Sequence, residues 1–394
     1  MNQPAFQTET SSEPRCILCG KCLEVCPLLK ATGREELAPR AKGWLVRHLR
    51  QDPDALPEAD VARLAGFCLS CGRCKTVCPQ GVDVPALVSG LRRDHPTFRH
   101  ALWKQWLTRA ESLWPLAGRA ARVLPDMLTP AGLGAGLKAL RGLSDKAALN
   151  PFIRVADYPH QWRGREALLF SGCAGSHLAP RWRDTAAGLC RGLGLRLLEA
   201  PLGCCGSPLS AAGFASEAAK TRARNLEIWR AAGRPLMPVF CVSCLAGLRA
   251  CPAEEFEDQA EAQAWADAVT PLSALLQDAR FVVSENAPTV PDKVGYHRPC
   301  HGRELGPDAD LALLRAALGD RLVPLADACC GFGGVMRLTA PKVADQVGRD
   351  RAQGLKNLDA ALTGCTACAT QLAALVPQGT VSGHWLDMLD ISRR

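Results

Sequence analysis

Hydrophobic positions follow two different periods along this 394-residue chain. Before about residue 143 they recur at helical spacing. Residues 42–49 put Trp44, Leu45 and Leu49 on or near one face, with His48 beside them, and predict a helix. Residues 57–66 predict a second, with Val61, Leu64 and Ala65 apolar and Gly66 as its stop. Farther on, Trp103, Trp106, Leu107, Ala110, Leu113 and Trp114 share one side of a helical stretch, while Arg99, Lys104 and Arg109 lie elsewhere on the turn. Pro115, Pro125, Pro130, Gly132, Gly134 and Gly136 are expected to break that stretch. From about residue 151 short apolar runs alternate with helical segments. Strands are predicted at 167–170, 195–198 and 236–240, with helices near 181–192 and 211–232. The plan repeats, with strands at 294–297, 322–325 and 360–362. Such alternation of β and α predicts parallel sheets.

Each of these strands ends at cysteines. The first group is Cys173, then the vicinal pair Cys204-Cys205, then Cys241-x-x-Cys244. The second is Cys300, Cys329-Cys330 and Cys365-x-x-Cys368. The offset between matching thiols is 127, 125 and 124 residues, which reads as an internal duplication. Ligand sites in open α/β sheets gather beyond the carboxyl ends of strands, so one sheet can aim all five thiols of a set at one place. Gly203, Gly206, Gly331, Gly333 and Gly334 allow tight turns and close backbone approach beside the vicinal pairs. Two adjacent cysteines can both be ligands only if the cofactor has more than one metal atom within reach.

The helical region carries its own thiols. Cys16-x-x-Cys19-x-x-Cys22-x-x-x-Cys26-Pro27 recurs as Cys68-x-x-Cys71-x-x-Cys74-x-x-x-Cys78-Pro79. This resembles the bacterial ferredoxin run, in which three cysteines hold one [4Fe–4S] cluster and the fourth reaches across to the other. By that rule Cys16, Cys19, Cys22 and Cys78 hold one cubane, and Cys68, Cys71, Cys74 and Cys26 hold the second. Tetrahedral zinc, usually bound by two separated Cys-x-x-Cys pairs, fits three thiols packed this closely poorly. The 41 residues between the runs exceed what a minimal two-cluster ferredoxin needs. They resemble the α-helical ferredoxin domain of succinate dehydrogenase iron–sulfur subunits.

Composition narrows the compartment. Twenty cysteines in a chain with 47% hydrophobic residues are not needed to staple an undersized core, so metal binding is expected rather than a disulfide framework. Residues 1–14 are polar and acidic and read as a disordered lead-in without a signal peptide. No apolar run approaches the roughly 18 residues of a membrane span. A cytoplasmic protein is expected, with peripheral contact at the inner face of the membrane as an alternative. The net charge of +8 is concentrated in residues 1–150, with 21 basic against 14 acidic residues. Offsetting negatively charged clusters, or docking a partner or anionic lipid, accounts for it. No nucleic-acid-binding motif accompanies it. The tryptophan stripe reads as a packing face, with a membrane-surface helix as the other reading.

Together the four cysteine motifs resemble, over nearly the whole chain, the cysteine-rich CCG-domain iron–sulfur oxidoreductase subunits. These include the heterodisulfide reductase D subunit, the iron–sulfur subunits of glycolate oxidase and D-lactate dehydrogenase complexes, and the C subunit of anaerobic glycerol-3-phosphate dehydrogenase. The resemblance implies an α+β multidomain chain. An α-helical ferredoxin domain with two [4Fe–4S] motifs (15–90) is followed by a basic helical bridge (91–160). Two duplicated α/β CCG domains (161–285 and 286–394) complete it. It implies one or two further [4Fe–4S] clusters, of the non-cubane kind in heterodisulfide reductase, held by Cys173, Cys204, Cys205, Cys241 and Cys244 and by Cys300, Cys329, Cys330, Cys365 and Cys368. Some dehydrogenase-branch members lack one or more of these thiols, whereas this chain keeps all ten.

The remaining candidates are weaker. Cys190 reads as a buried small apolar residue. Cys251 is an alternative ligand at most. His48 reads as packed or solvated. His177, His297 and His301 flank the lone cysteines and could move protons, with satisfied structural histidines as the blander reading. The spacing of Gly132, Gly134 and Gly136 is not a dinucleotide fingerprint. No flavin or nicotinamide motif, P-loop or Ser/His/Asp pattern is present, so hydride transfer is expected on another chain. The expected function is an electron-transfer subunit. It would link a flavoprotein dehydrogenase, acting on a 2-hydroxy acid or glycerol-3-phosphate, to a quinone, a membrane redox subunit or a soluble carrier. The alternative is a catalytic subunit reducing a disulfide at Cys204, Cys205, Cys329 and Cys330.

Overall fold

The structure, a computed structural model, describes residues 15–123 and 149–391. The lead-in at 1–14 and the expected break at Pro125, Pro130 and Gly132–Gly136 lie outside them. Helices dominate the first part. Helix Pro39–Gln51 buries Leu45, Val46 and Leu49 against Val61 and Ala65 of helix Glu58–Gly66 and Leu91 of helix Val84–Asp94. Trp44 departs from the expected face. It is 61% exposed and stacks on His48 at 4.8 Å, and the buried position on that turn goes to Lys42. Helices Phe98–Thr108 and Ala110–Val123 follow. Pro115 does not end the second helix. It lies just beyond the first turn, where a proline removes a single backbone bond, and the buried Trp114 anchors the segment.

The tryptophan stripe is a packing face. Trp103, Leu107, Ala110 and Trp114 are buried in the principal core, together with Phe152, Phe170, Trp182, Trp229, Phe240 and Trp385. Each such side chain contributes roughly 1.5–3 kcal/mol by leaving water, so the helices are held firmly to the α/β part. Phe98, Leu102 and Leu116 remain exposed on the outer side.

The duplication is plain in the sheets. In the second half, four parallel strands lie in the spatial order Val381–His384, Ala360–Thr363, Val294–His297, Leu322–Val323. In the first half the same order appears as Val269–Pro271, Met237–Val239, Glu166–Ala167, Arg196–Leu197. Single bridges at Ala167–Leu236 and Phe170–Val239 join its centre. The outermost strand of each half has no counterpart in the hydrophobic pattern, because Val-Thr-Pro and Val-Ser-Gly-His offer too little apolar character to read. A third sheet joins the halves. Ile153–Asp157 runs between Arg280–Val283, antiparallel, and Leu389–Asp390, parallel.

One buried acid sits in this frame. Asp310 accepts from the Ser273 hydroxyl at 2.6 Å and faces the Tyr296 hydroxyl. Burial first, then the neighbouring Asp308 and Cys241, push its pKa from 3.8 up to about 7. The folded state thus holds a proton that the unfolded chain releases. The contribution to stability is fullest below about pH 4 and is lost as pH rises toward 7. Asp310→Asn keeps the acceptor for Ser273, so it should remove a loss on the order of 2–4 kcal/mol between pH 4 and pH 7. Denaturant unfolding at pH 5 and pH 8 measures this, and an unchanged slope in the variant would contradict it.

Candidate metal centres

All twenty cysteines are free thiols. The two helical-region runs fold alike. Leu18 and Gly20 take left-handed φ of 60° and 80°, and Ser70 and Gly72 repeat this at 51° and 73°. Each run therefore curls its first three thiols around one point. Cys16, Cys19 and Cys22 line a cavity with Cys78. Cys68, Cys71 and Cys74 line another with Cys26. The crossing of the fourth thiols is visible in the geometry. The outer site is open, with Cys16 and Cys19 exposed, while Cys26 and Cys74 of the inner site are buried.

Two cations enclose the inner site. Lys42 is buried with its ammonium on the Leu37 carbonyl. Burial lowers its pKa, and the thiols of Cys68, Cys26 and Cys74 oppose that shift. Arg92 is 1% exposed and fully engaged. It donates to the carbonyls of Ala65 (3.0 Å), Cys68 (2.7 Å) and Ala211 (2.6 Å) and to Ser70 Oγ (3.1 Å). Neither stands out in the sequence. The only available signal is a basic residue on an otherwise apolar helix face.

In the α/β part each half places its five thiols at strand ends and helix starts. Cys241 and Cys365 are the N-caps of helices Val242–Arg249 and Thr366–Leu375, and Cys244 and Cys368 lie in the first turns. The positive ends of those helices favour thiolate there. The vicinal pairs divide the same way in both halves. Cys204 reaches Cys173 and Cys205 reaches Cys244. Cys329 reaches Cys300, and Cys330 reaches Cys368 at 3.4 Å. Gly206 and Gly331, at φ 78° and 81°, turn their amides onto Cys204 and Cys329 sulfur at 3.4 Å. A Cβ at Gly206 would meet Ala218 O at 2.9 Å, and one at Gly331 would meet Ala344 O at 2.6 Å. Gly203 has neither feature. Its amide donates to Asn225, which in turn holds the Cys204 carbonyl.

The two sets are not separate. Cys241 and Cys365 are within hydrogen-bonding reach of each other. Cys241 sulfur also meets Thr366 Oγ1 at 3.4 Å, and Cys365 sulfur meets Ser243 Oγ at 3.0 Å. At the far end of the second set, Cys300 reaches Cys71 of the inner site. Arg73, between Cys71 and Cys74, spans the same seam. It pairs with Asp327 at 2.7 and 3.1 Å and bonds Cys300. Arg303 also pairs with Asp327. The sulfurs therefore form a row from Cys173 through Cys241, Cys365 and Cys300 to Cys71. Ionisation is uneven along it. Cys204, Cys241, Cys300 and Cys330 are held well below the usual thiol value by bonds from neighbouring thiols, and thiols that donate to them, such as Cys173 and Cys329, are pushed up. So many buried thiols cannot all ionise without cationic charge among them, which is what a multi-iron group supplies.

The leftover residues sort simply. Cys190 is fully buried in the core and lies outside both sets. Cys251 bonds the Glu255 carboxylate at 3.1 Å, also away from them. His301 is satisfied, with Nδ1 on Ser243 Oγ at 3.0 Å and Nε2 on the Ser70 carbonyl at 3.1 Å. His177 closes the helix Gly172–His177. His297 is buried with neither ring nitrogen hydrogen-bonded.

Fold and thiol sets define an iron–sulfur oxidoreductase subunit of the CCG-domain class. Residues 14–82 match the 4Fe-4S dicluster domain, and residues 167–249 and 294–373 each match the cysteine-rich domain. The chain is 26% identical to the glycolate oxidase iron-sulfur subunit of Escherichia coli, over 99% of this chain and 97% of that one. It is 23% identical to a probable glycolate oxidase iron-sulfur subunit of Bacillus subtilis, over 95% and 92%. It is 22% identical to the D subunit of the dihydromethanophenazine:CoB–CoM heterodisulfide reductase of Methanosarcina acetivorans, over 91% and 87%. Among the described residues no helix is long and apolar enough to cross a membrane.

Proposed function

We propose that this chain is an electron-transfer subunit between a flavoprotein dehydrogenase and a quinone, membrane or soluble acceptor. The observation that carries the reading is the row of thiol sites: Cys22 of the exposed outer site packs against Cys74 of the inner one, and the row continues from Cys71 through Cys300, Cys365 and Cys241 to Cys173. In this reading Cys16, Cys19, Cys22 and Cys78 hold one cubane and Cys26, Cys68, Cys71 and Cys74 a second. The five-thiol sets hold the remaining clusters, and bound clusters supply one-electron redox capacity. The protein's own part is positional. Arg92 and Lys42 fix the inner loop, Arg73 holds it against Cys300, and Ser243 and Thr366 join the two sets.

The similarity to glycolate oxidase iron-sulfur subunits supports a partner that oxidises a small 2-hydroxy acid such as glycolate. Peripheral membrane contact through the bridge rests only on the exposed Phe98, Leu102 and Leu116, since Trp103 and Trp114 are inside. Anaerobic purification of the native complex is the test. A co-purifying flavoprotein, with visible bleaching of this subunit on adding the hydroxy acid, supports the reading. A chain that emerges with iron but no flavoprotein or membrane partner counts against it.

A second reading is disulfide reduction at the five-thiol sets. A cleft of about 570 Å³ opens onto Cys71, Cys300 and His301, giving a small molecule access to the second set. Turnover of disulfides with a reduced dye distinguishes this reading.

A further inference from the structure

The two repeats differ at one slot beside their thiols. Phe170 pairs with Val239, two residues before Cys241, and precedes Cys173 by three. His297 pairs with Thr363, two residues before Cys365, and precedes Cys300 by three. The two side chains thus occupy the same place at the end of the same strand. A phenyl ring suits a buried strand end. An imidazole does not, unless its nitrogens find partners, because a buried orphan polar group costs on the order of 1–3 kcal/mol. His297 is 0% exposed; neither ring nitrogen meets a hydrogen-bond partner of good geometry, and the group within its reach is the Cys330 thiol.

What the ring does face is sulfur. A His297 nitrogen, Cys330 Sγ and Cys368 Sγ all lie within 4.8 Å of one another. With metal–ligand bonds of about 2.0–2.3 Å, donors sharing one tetrahedral ion sit roughly 3.4–3.8 Å apart, inside that limit. Of the other histidines near the row, His301 is spent on Ser243 and Ser70, whereas His384 accepts from the Leu386 amide at Nδ1 and its Nε2, also buried without a partner, joins no such donor group among the described residues.

We propose that His297 is a sixth donor of the second set, its imidazole nitrogen binding the iron that Cys330 and Cys368 bind. This rests on the reading that the five thiols hold a cluster. The duplicated sites are then chemically unequal: the first is all-thiolate, and the second mixes imidazole with thiolate. A neutral nitrogen added to five thiolates changes the ligand field at that iron without changing the charge of the set, so the two clusters should differ in reduction potential.

The test uses the full chain loaded anaerobically, with iron and sulfide counted first. Pulsed EPR on protein grown with ordinary and with ¹⁵N-labelled histidine should show a directly bound nitrogen whose pattern changes with the label. That readout needs no variant. His297→Phe copies the first repeat's own residue, so the slot should still pack. It should lose the nitrogen signal and shift the potential of one cluster only. Full iron and sulfide without histidine nitrogen coupling would overturn the proposal, as would coupling that survives in His297→Phe. Wild-type protein with no iron at the second set would instead remove the cluster reading itself, and the proposal with it.

Discussion

Arg92→Ala is expected to destabilise the protein by about 3–5 kcal/mol and to release iron from the inner quartet before the outer one. The side chain donates four hydrogen bonds from a site 1% exposed. Two go to the Cys68–Ser70 loop, which shapes the inner site. One goes to Ala65 at the end of helix Glu58–Gly66, and one to Ala211 of the first repeat. Alanine leaves three carbonyls without their donor, and water has little room to replace it. The helix bearing Arg92 also lies directly on Gly213, where a Cβ would meet Arg93 N at 2.6 Å, so the seam cannot close over the gap. Arg92→Lys should recover little, since one ammonium cannot reproduce a planar fork with four acceptors. Denaturant unfolding together with iron release to a chelator measures both effects. A variant as stable as the wild type, with all its iron retained, would refute the expectation.

Cys300→Ser and Cys365→Ser should do more damage than a single lost ligand, and in different directions. Cys365 touches Cys241 and Ser243 of the first set, whereas Cys300 touches Cys71 and Arg73 of the inner site. Each substitution should empty or cripple the second site. Cys365→Ser should also shift the EPR signal of the first site and leave the inner quartet unchanged. Cys300→Ser should disturb the inner quartet and spare the first site. Iron and sulfide content with EPR of each variant reads the order of the row directly. Identical collateral effects in the two variants would mean that the row is not connected as described.

Much of this arrangement is legible in the sequence because it is local. A strand followed by cysteines, a cysteine triplet followed by a fourth thiol and proline, and a repeat offset near 125 residues are all patterns within short windows. The tryptophan stripe reads correctly as a packing face for the same reason. What escapes such reading is non-local or set by competition. Trp44 has the right period for the core, but the helix rotates so that Lys42 faces the inner site instead. Arg73 looks like any basic residue in a motif, because its partner Asp327 is 254 residues away. The junction of Cys241 with Cys365 follows from how the two halves face each other, and no repeat offset encodes that. His297 stands out in the sequence as a neighbour of Cys300, but its difference from Phe170 acquires meaning only when the strand register aligns the two slots.

The third sheet has a consequence for how such a protein is made. Its central strand, Ile153–Asp157, precedes both repeats, and the two strands that flank it close one repeat each. The Phe152 amide is held by the Met388 carbonyl, and the Ser284 amide by the Phe152 carbonyl. The third sheet is thus complete only when the last strand of each repeat has joined Ile153–Asp157. Joining residues near 153 to residues near 389 closes a loop of well over two hundred residues. The entropy of that closure grows only slowly with length, but the search for it is slow. During synthesis the first five thiols would emerge and stand unwalled until Thr366 and Leu389 arrive. The junction of the two thiol sets, Cys241 with Cys365 and Thr366, would therefore form late, along with the closing of that sheet.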